Sequence, residues 1–304
     1  MQKAAKKPAT HPLGTSGLDI RRVTTWPEYR ACVELQREVW GGDFSDQVPA
    51  SILSVAQRVG GVCAGAFEPD GRLVGFVFGI SGIQHGRLVH WSDLMAVRAE
   101  ARDRGVGRQL KLFQRELVRA DGATMMYWSF DPLVARNAHF NFATLGVKAV
   151  EYVEDMYGAD SGSILHRGLG TDRLIAAWAI EGEGARVPQS KASQRANDLV
   201  PLSQIVVLNP TGTPPRAVMP PTLPPLPAPI IAPCVGVVIP LDIHRVQQAA
   251  PDEAVRWRAA TRSAFEWAFA NGYHIDSFRR LDETESGLYV LLHHGSGRLA
   301  HDHV

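Results

Sequence analysis

Leu94-Met95-Ala96-Val97, a short loop, and then Arg102-Asp103-Arg104-Gly105-Val106-Gly107-Arg108-Gln109-Leu110 is the stretch that decides the fold. An apolar strand read over Leu88 to Val97 runs into a glycine-bearing turn, and the turn opens a helix read over Arg102 to Ala120. The first N–H groups of a helix have no internal partners. The same helix end carries partial positive charge. Together they make an anion site suited to a diphosphate. Gly105 and Gly107 lack a Cβ, so a phosphate can approach the backbone closely. Arg102, Arg104 and Arg108 add positive charge. Gly-x-Gly after a strand also opens dinucleotide-binding folds and plain tight turns, so the six residues alone do not choose among these.

The flanking segments narrow the choice. Upstream, Ile20 to Val23 reads as a strand, and Trp26 to Val39 and Pro49 to Val59 read as helices. Gly61 to Glu68 and Leu73 to Ile80 read as a strand pair around the turn Pro69-Asp70-Gly71. Residues 81–86 read as a break. Downstream, Ala123 to Phe130 reads as a strand and Arg136 to Leu145 as a helix. Lys148 to Tyr157 and Gly162 to Arg167 read as extended, and Asp172 to Ile180 as strand or short helix. The order β-α-α-β-β-β-α-β-α-β indicates a mixed α/β (α+β) domain.

In this arrangement the chain resembles the GNAT superfamily of N-acetyltransferases. The family's acyl-CoA signature is Gln/Arg-x-x-Gly-x-Gly/Ala, and Arg102, Gly105 and Gly107 fill its three places. Asn137-Ala138-His139-Phe140-Asn141-Phe142-Ala143-Thr144-Leu145-Gly146 resembles the family's second motif. The resemblance implies a GNAT fold, with a central, mostly antiparallel mixed sheet flanked by helices. It also implies acetyl-CoA or another acyl-CoA as cosubstrate. The implied cradle is Met95, Ala96, Val97, Arg102, Arg104, Gly105, Val106, Gly107 and Arg108, with Asn137 and Asn141 behind it. Trp128 to Leu133, Tyr157-Gly158, Thr171 to Leu174, Trp257-Arg258, Arg262 and Gly272-Tyr273 are similar to a bacterial predicted-acetyltransferase subgroup with a C-terminal extension.

The expected organisation is a disordered arm over 1–18, the acyl-CoA-binding domain over 19–182 and a Pro-rich linker or strap over 183–233. A small β-α-β-β extension over 234–295 and a tail over 296–304 complete it. More than half of the chain's 20 prolines fall between 201 and 233, a density that favours extended polyproline geometry.

Composition excludes several classes. The 304 residues are 45% hydrophobic and 21% charged, with net charge +1, so no global field draws in nucleic acid or an anionic membrane. No window reaches the roughly 18 apolar residues of a membrane span. Three cysteines without a CxxC pair support neither a disulfide framework nor a zinc knuckle, and a cytoplasmic setting is expected. The C-terminal cluster His293, His294, His301 and His303 has no accompanying ligand framework and reads as a frayed tail, so no metal is expected.

Within the resemblance, transfer to an amine needs a base, an acid for the leaving thiolate and an oxyanion donor. The donor is expected among Leu94 to Val97. The family's usual acid is a Tyr at the place of Phe142, which leaves Tyr157 or Tyr152 to act instead. His90, Asp93, Asp131 and Glu38 are the base candidates. Alternation puts His90 and Ser92 on one strand face and Asp93 on the other. Tyr157, His90 and Asp131 are the expected catalytic set. The expected activity is an acyl-CoA-dependent N-acyltransferase, with acetyl-CoA or a longer donor such as succinyl-CoA. It acts on a small amine or amino acid, and a homodimer is compatible with the sequence. The alternative is a CoA-binding module without transferase activity.

Overall fold

The computed structural model describes residues 17–158, 168–181, 200–209 and 232–293. Two compact units divide the chain. One holds Met1–Trp128, Gly162–Ile164 and Trp178–Ala185, and the other holds Ser129–Ser161, Leu165–Ala177 and Arg186–Val304.

The first unit begins with β1 (Asp19–Arg22), α1 (Trp26–Trp40) and α2 (Ala50–Arg58). Glu28 starts α1 by accepting the N–H groups of Thr24 at 2.8 Å and Thr25 at 3.0 Å, which are donors the first turn leaves open. Gly41, at φ 97°, ends the helix. β2 (Val62–Phe67), β3 (Leu73–Gln84) and β4 (Arg87–Val97) follow as an antiparallel meander, and β1 pairs with β2. The break expected at 81–86 is two strands and a two-residue turn. His85 and Gly86 take φ 50° and 74°, the double left-handed geometry that closes a tight hairpin. A short 3-10 turn (Ala99–Ala101) then leads to α3 (Val106–Ala120), which starts four residues later than expected.

Sheet faces alternate as a pleat requires. Cys63, Phe67, Phe76, Phe78 and Ala96 pack with Cys32 and Leu35 of α1 and Leu53 of α2. The other face lies under α3, where a Cβ on Gly75 would meet Leu110 at 3.2 Å and Val106 at 3.3 Å.

β5 (Met125–Phe130), α4 (Ala135–Ala138) with a wide turn over His139–Leu145, β6 (Lys148–Val153) and β7 (Arg173–Ala179) come next. Asp172 to Ile180 is therefore a strand. The large sheet has the order β1-β2-β3-β4-β5-β7-β6, with β4 and β5 parallel. Gly162 to Arg167 lies outside the described residues.

The second unit, which also holds α4, β6 and most of β7, contains β8 (Val206–Val207), β9 (Cys234–Pro240), α5 (Ile243–Ala249), α6 (Pro251–Ala270), β10 (Tyr273–Leu281) and β11 (Ser286–His293). These strands form a second sheet of order β10-β11-β9-β8. It has one strand and one helix more than the expected β-α-β-β tail. Asn209 explains the order around β8. It donates its amide to the Val238 carbonyl and accepts the Val238 N–H, both at 2.8 Å, so this part of the Pro-rich stretch is tied to β9. Tyr289 of β11 is fully buried among Phe142, Phe265 and Phe278.

Gly79 carries a packing test. A Cβ there would stand 2.5 Å from the Trp91 carbonyl oxygen and 2.9 Å from Gln114 Nε2. Gly79→Ala is expected to destabilise the protein by about 1–3 kcal/mol, as overpacking does, measured by urea unfolding.

Candidate functional site

Two backbone irregularities on β4 shape the site in the first unit. The first is a bulge. Phe78 pairs with Leu94 and Gly79 pairs with Ser92, so Asp93 has no partner of its own on β3. An extra residue flips the side-chain phase beyond it. His90 and Ser92 face α3, whereas Ala96 faces the α1–α2 core. The second is the end of the parallel ladder. β4 pairs with β5 only at Val89, His90 and Trp91.

The residues after the bulge therefore have one edge on β3 and one edge without a ladder pair among the described residues. The Arg98 N–H donates to the Val74 carbonyl on the β3 side at 2.9 Å. Antiparallel ladders alternate, so Ala96 and Leu94 also address β3. The N–H and C=O groups of Met95 and Val97 address the opposite edge. The Val97 carbonyl accepts Arg102 Nε at 3.1 Å, which ties the turn back to the strand.

That turn is built as the sequence implies. Asp103 takes φ 60° and Gly105 takes φ 76°. Gly105 is the N-cap of α3, with no side-chain cap hydrogen bond, and its carbonyl accepts the Gln109 N–H at 3.1 Å. The N–H groups of Val106 and Gly107 stand in the first turn without intrahelical partners. The nearest atom to a Cβ placed on Gly105 is Gln109 Nε2 at 4.0 Å, so the space in front of the turn is open. Arg102 and Arg104 are exposed and Val106 is buried beneath them. A left-handed glycine, an uncapped helix start and a surrounding set of arginines fit a diphosphate.

His90 is placed otherwise than a working base. It is fully buried. Its Nδ1 is 2.9 Å from Ser81 Oγ, and its Nε2 is 3.0 Å from Gln114 Nε2. Gln114 Oε1 accepts the Ser92 hydroxyl at 2.8 Å, and Ser92 Oγ accepts Lys111 Nζ at 2.7 Å. Lys111 Nζ stands 3.9 Å above the Trp128 ring. Burial holds this ammonium well below the usual lysine range. Burial, then the charges of Lys111 and Arg22, push His90 down to about 4. Sequence reasoning did not find Lys111 or Gln114. The available signal was two polar residues at i, i+3 on the buried stripe of α3.

Asp93 sits on the bulge with its side chain reaching solvent. Its surroundings raise its pKa, through partial desolvation and then the Asp46 charge, against a hydrogen bond from Trp91. Glu38 is ion-paired with Arg98.

In the second unit Asp131 is buried. It accepts Arg258 Nη2 at 2.7 Å and the Leu133 N–H at 2.8 Å, with Arg173 Nη1 at 4.0 Å. Burial alone would raise its pKa, and the two guanidiniums hold it below the ordinary carboxylate range. Tyr152 is bonded to Asp172, and burial together with that carboxylate raises its hydroxyl. Tyr157 is 38% exposed. Its hydroxyl is 2.8 Å from Ser129 Oγ, and its ring lies 5.2 Å from the Arg173 guanidinium. Asn137 donates its N–H to Val134, and buried Asn141 presents its carbonyl to the Val147 N–H at 3.1 Å. Phe142 meets Phe130 and Tyr289 edge to face. The structure thus gathers Met95, Val97, Arg102, Arg104, Gly105, Val106, Gly107 and Arg108 along one strand edge and turn, with Ala96 directed into the core. Asp131, Asn137, Asn141 and Tyr157 belong to the other compact unit.

Among the described residues no helix is long and apolar enough to cross a membrane, and no group of three or more metal-ligating side chains occurs. Of the C-terminal histidines only His293 is described.

Over about half its length the chain matches the structures of GNAT acetyltransferases. A phosphinothricin acetyltransferase from Sinorhizobium meliloti, in complex with AcCoA, matches at 14% identity and TM-score 0.46, over 57% of this chain and 95% of that one. A ribosomal-protein-alanine N-acetyltransferase from Brucella melitensis matches at 17% and 0.44, over 53% and 98%. The ribosomal-protein-S18-alanine N-acetyltransferase from Escherichia coli matches at 14% and 0.41, over 55% and 97%. No family model and no curated protein matches the sequence. At these identities the likeness is one of fold, and donor, acceptor and activity rest on the chain's own residues.

His90 yields a pH prediction. The neutral ring is the native form, while the unfolded chain takes up a proton below about 6.5. Stability from this site is complete above pH 6.5 and is lost as pH falls towards 4. About 3 kcal/mol should disappear over that window. The part of the loss due to His90 should be missing in His90→Gln, followed by urea unfolding at each pH.

Proposed function

We propose that the chain is an acyl-CoA-dependent N-acyltransferase whose donor arm lies along the free edge of β4 and whose diphosphate rests on the turn 102–108. The observation that carries this reading is the pairing of an uncapped, glycine-opened helix start with Met95 and Val97 backbone groups turned to an edge without a ladder pair. A pantetheine arm has amide groups that can take those main-chain partners as an added strand would.

Each residue then has a task. Val106 and Gly107 present N–H groups to the diphosphate, and Arg102, Arg104 and Arg108 supply counter-charge. The Met95 N–H stands ready for the thioester oxygen as it gains negative charge. Asp93 takes the proton of the attacking amine. Its raised pKa makes it a stronger base than an ordinary carboxylate, and its bulge position leaves it accessible. His90 serves as a buried positioning residue for Gln114 and Ser92. The acceptor is a small amine or amino acid, and the donor is acetyl-CoA or a longer acyl-CoA such as succinyl-CoA.

One observation favours a second reading, a CoA-binding module without transfer. Phe142 stands where the resembling family has its acid, and it is packed among aromatic rings with no polar atom to offer.

Thiol release from acetyl-CoA and succinyl-CoA in a mixture of amines and amino acids separates the two readings. Amine-dependent release is the expected result, and CoA binding without release supports the module. Gly105→Glu places a carboxylate at the phosphate turn and is expected to weaken CoA binding at least a hundredfold in calorimetry while unfolding stays cooperative. Unchanged affinity removes the site. Asp93→Asn should lower kcat by about 10²–10⁴, the range for a lost general base, and remove the rising limb of the kcat–pH profile.

A further inference from the structure

A cavity of about 350 Å³ opens beside the end of β1 and the last turn of α2, lined by Arg22, Val23, Thr24, Tyr29, Ser54, Gln57 and Arg58. It lies wholly in the first unit, and none of the diphosphate-turn residues lines it. Its volume is at the small end of the range for small-molecule sites.

The charge of the lining is one-sided. Arg22 and Arg58 are among the lining residues, and no Asp or Glu is. The adjacent Arg21 is satisfied by Asp19 at 2.9 Å and Glu28 at 2.7 Å. Neither Arg22 nor Arg58 has a carboxylate within 4.0 Å among the described residues. Arg22 instead gives Nη1 to the Gln57 side-chain oxygen at 3.0 Å and to the Gly61 carbonyl at 3.4 Å. These neutral partners orient the guanidinium without cancelling its charge.

The wall is also fixed in shape. Gln57 donates its amide to the Val23 carbonyl at 2.8 Å and to the Tyr29 hydroxyl at 2.6 Å. Tyr29 donates that hydroxyl to the Val23 carbonyl at 3.1 Å. Gln57 therefore holds Arg22 on one side while itself held on the other. Glu28, the nearest acid in sequence, is committed to Arg21 and to the amides of Thr24 and Thr25. Ser54 adds a hydroxyl to the lining, while the Thr24 hydroxyl donates to Glu28 Oε2 at 3.4 Å.

We propose that this cavity is a second anion site that binds a phosphomonoester dianion between Arg22 and Arg58. Two guanidiniums balance a charge of two, and their planar donors together with the Ser54 hydroxyl suit an oxyanion with three free oxygens. The remaining volume takes a small organic group on the fourth oxygen.

The test uses the full-length, isotope-labelled protein saturated with CoA at constant ionic strength, titrated with inorganic phosphate, glycerol phosphate and acetate. Saturable binding of both phosphates is expected, with amide shifts at residues 22–24 and 54–58 and much weaker binding of acetate. Arg58→Ala, an exposed side chain whose loss leaves the fold intact, should weaken glycerol phosphate at least tenfold. Arg22→Gln should do the same. Gly105→Glu should leave this binding unchanged, so loss of the CoA turn and loss of this site are read separately. Shifts confined to 102–108, full affinity in Arg58→Ala, or acetate binding as tightly as phosphate would each overturn the proposal.

Discussion

A main-chain N–H or C=O that leaves one ladder must find another partner or meet solvent. β4 leaves the β5 ladder after Trp91 while its β3 ladder continues to Val97. Of the four residues Leu94 to Val97, Leu94 and Ala96 turn their main-chain groups to β3, and Met95 and Val97 turn theirs to the other edge. Asp93 makes this arrangement usable, because the bulge resets the side-chain phase between the α3 face and the α1–α2 core. The turn after β4 continues the same logic. Gly105 enters the helix from the left-handed region without a side-chain cap, so the start of α3 is as open as the strand edge before it.

The buried chain Ser81–His90–Gln114–Ser92–Lys111 stands against the same strand. Every member has a partner, and each bond fixes the orientation of the next. Such a network is costly to leave half satisfied and rigid when complete. It holds the α3 face of β4 immediately before the bulge, so the strand can change phase at Asp93 without its earlier residues shifting. The amine of Lys111 has an aromatic face beside it and no carboxylate partner among the described residues, and burial holds its pKa well below the usual lysine range.

The second unit is organised around charges. Asp131 is shared by Arg258 and Arg173, and Asp172 accepts Arg262 Nη2 at 2.6 Å and the Asp155 N–H at 3.2 Å. Removing one member of such a buried pair strands the other, at a cost of several kcal/mol. Arg258 and Arg262 come from one helix four residues apart, so α6 reaches both carboxylates with a single face. Both arginines are thereby held in ion pairs.

The sequence by itself determined the order of elements in the first half, the glycine turn before α3 and the arginines around it. These are local matters. Gly105 needs a left-handed φ, a strand before a helix start leaves open N–H groups, and three arginines within seven residues surround one turn. It also placed His90 and Ser92 on one face, because alternation holds up to the bulge. Only the tertiary structure decided what depends on partners far along the chain. The bulge at Asp93 appears in the register against β3, and the burial of His90 depends on Gln114 and Ser81. Asp131 passes from base candidate to ion-pair partner because Arg258, 127 residues away, reaches it. β8 is a strand because Asn209 is bonded to Val238. The cavity beside Arg22 forms because Gln57, 35 residues on, turns that guanidinium. Local dihedral preference is written in consecutive residues, whereas desolvation and charge pairing belong to contacts that the chain makes only once it is folded.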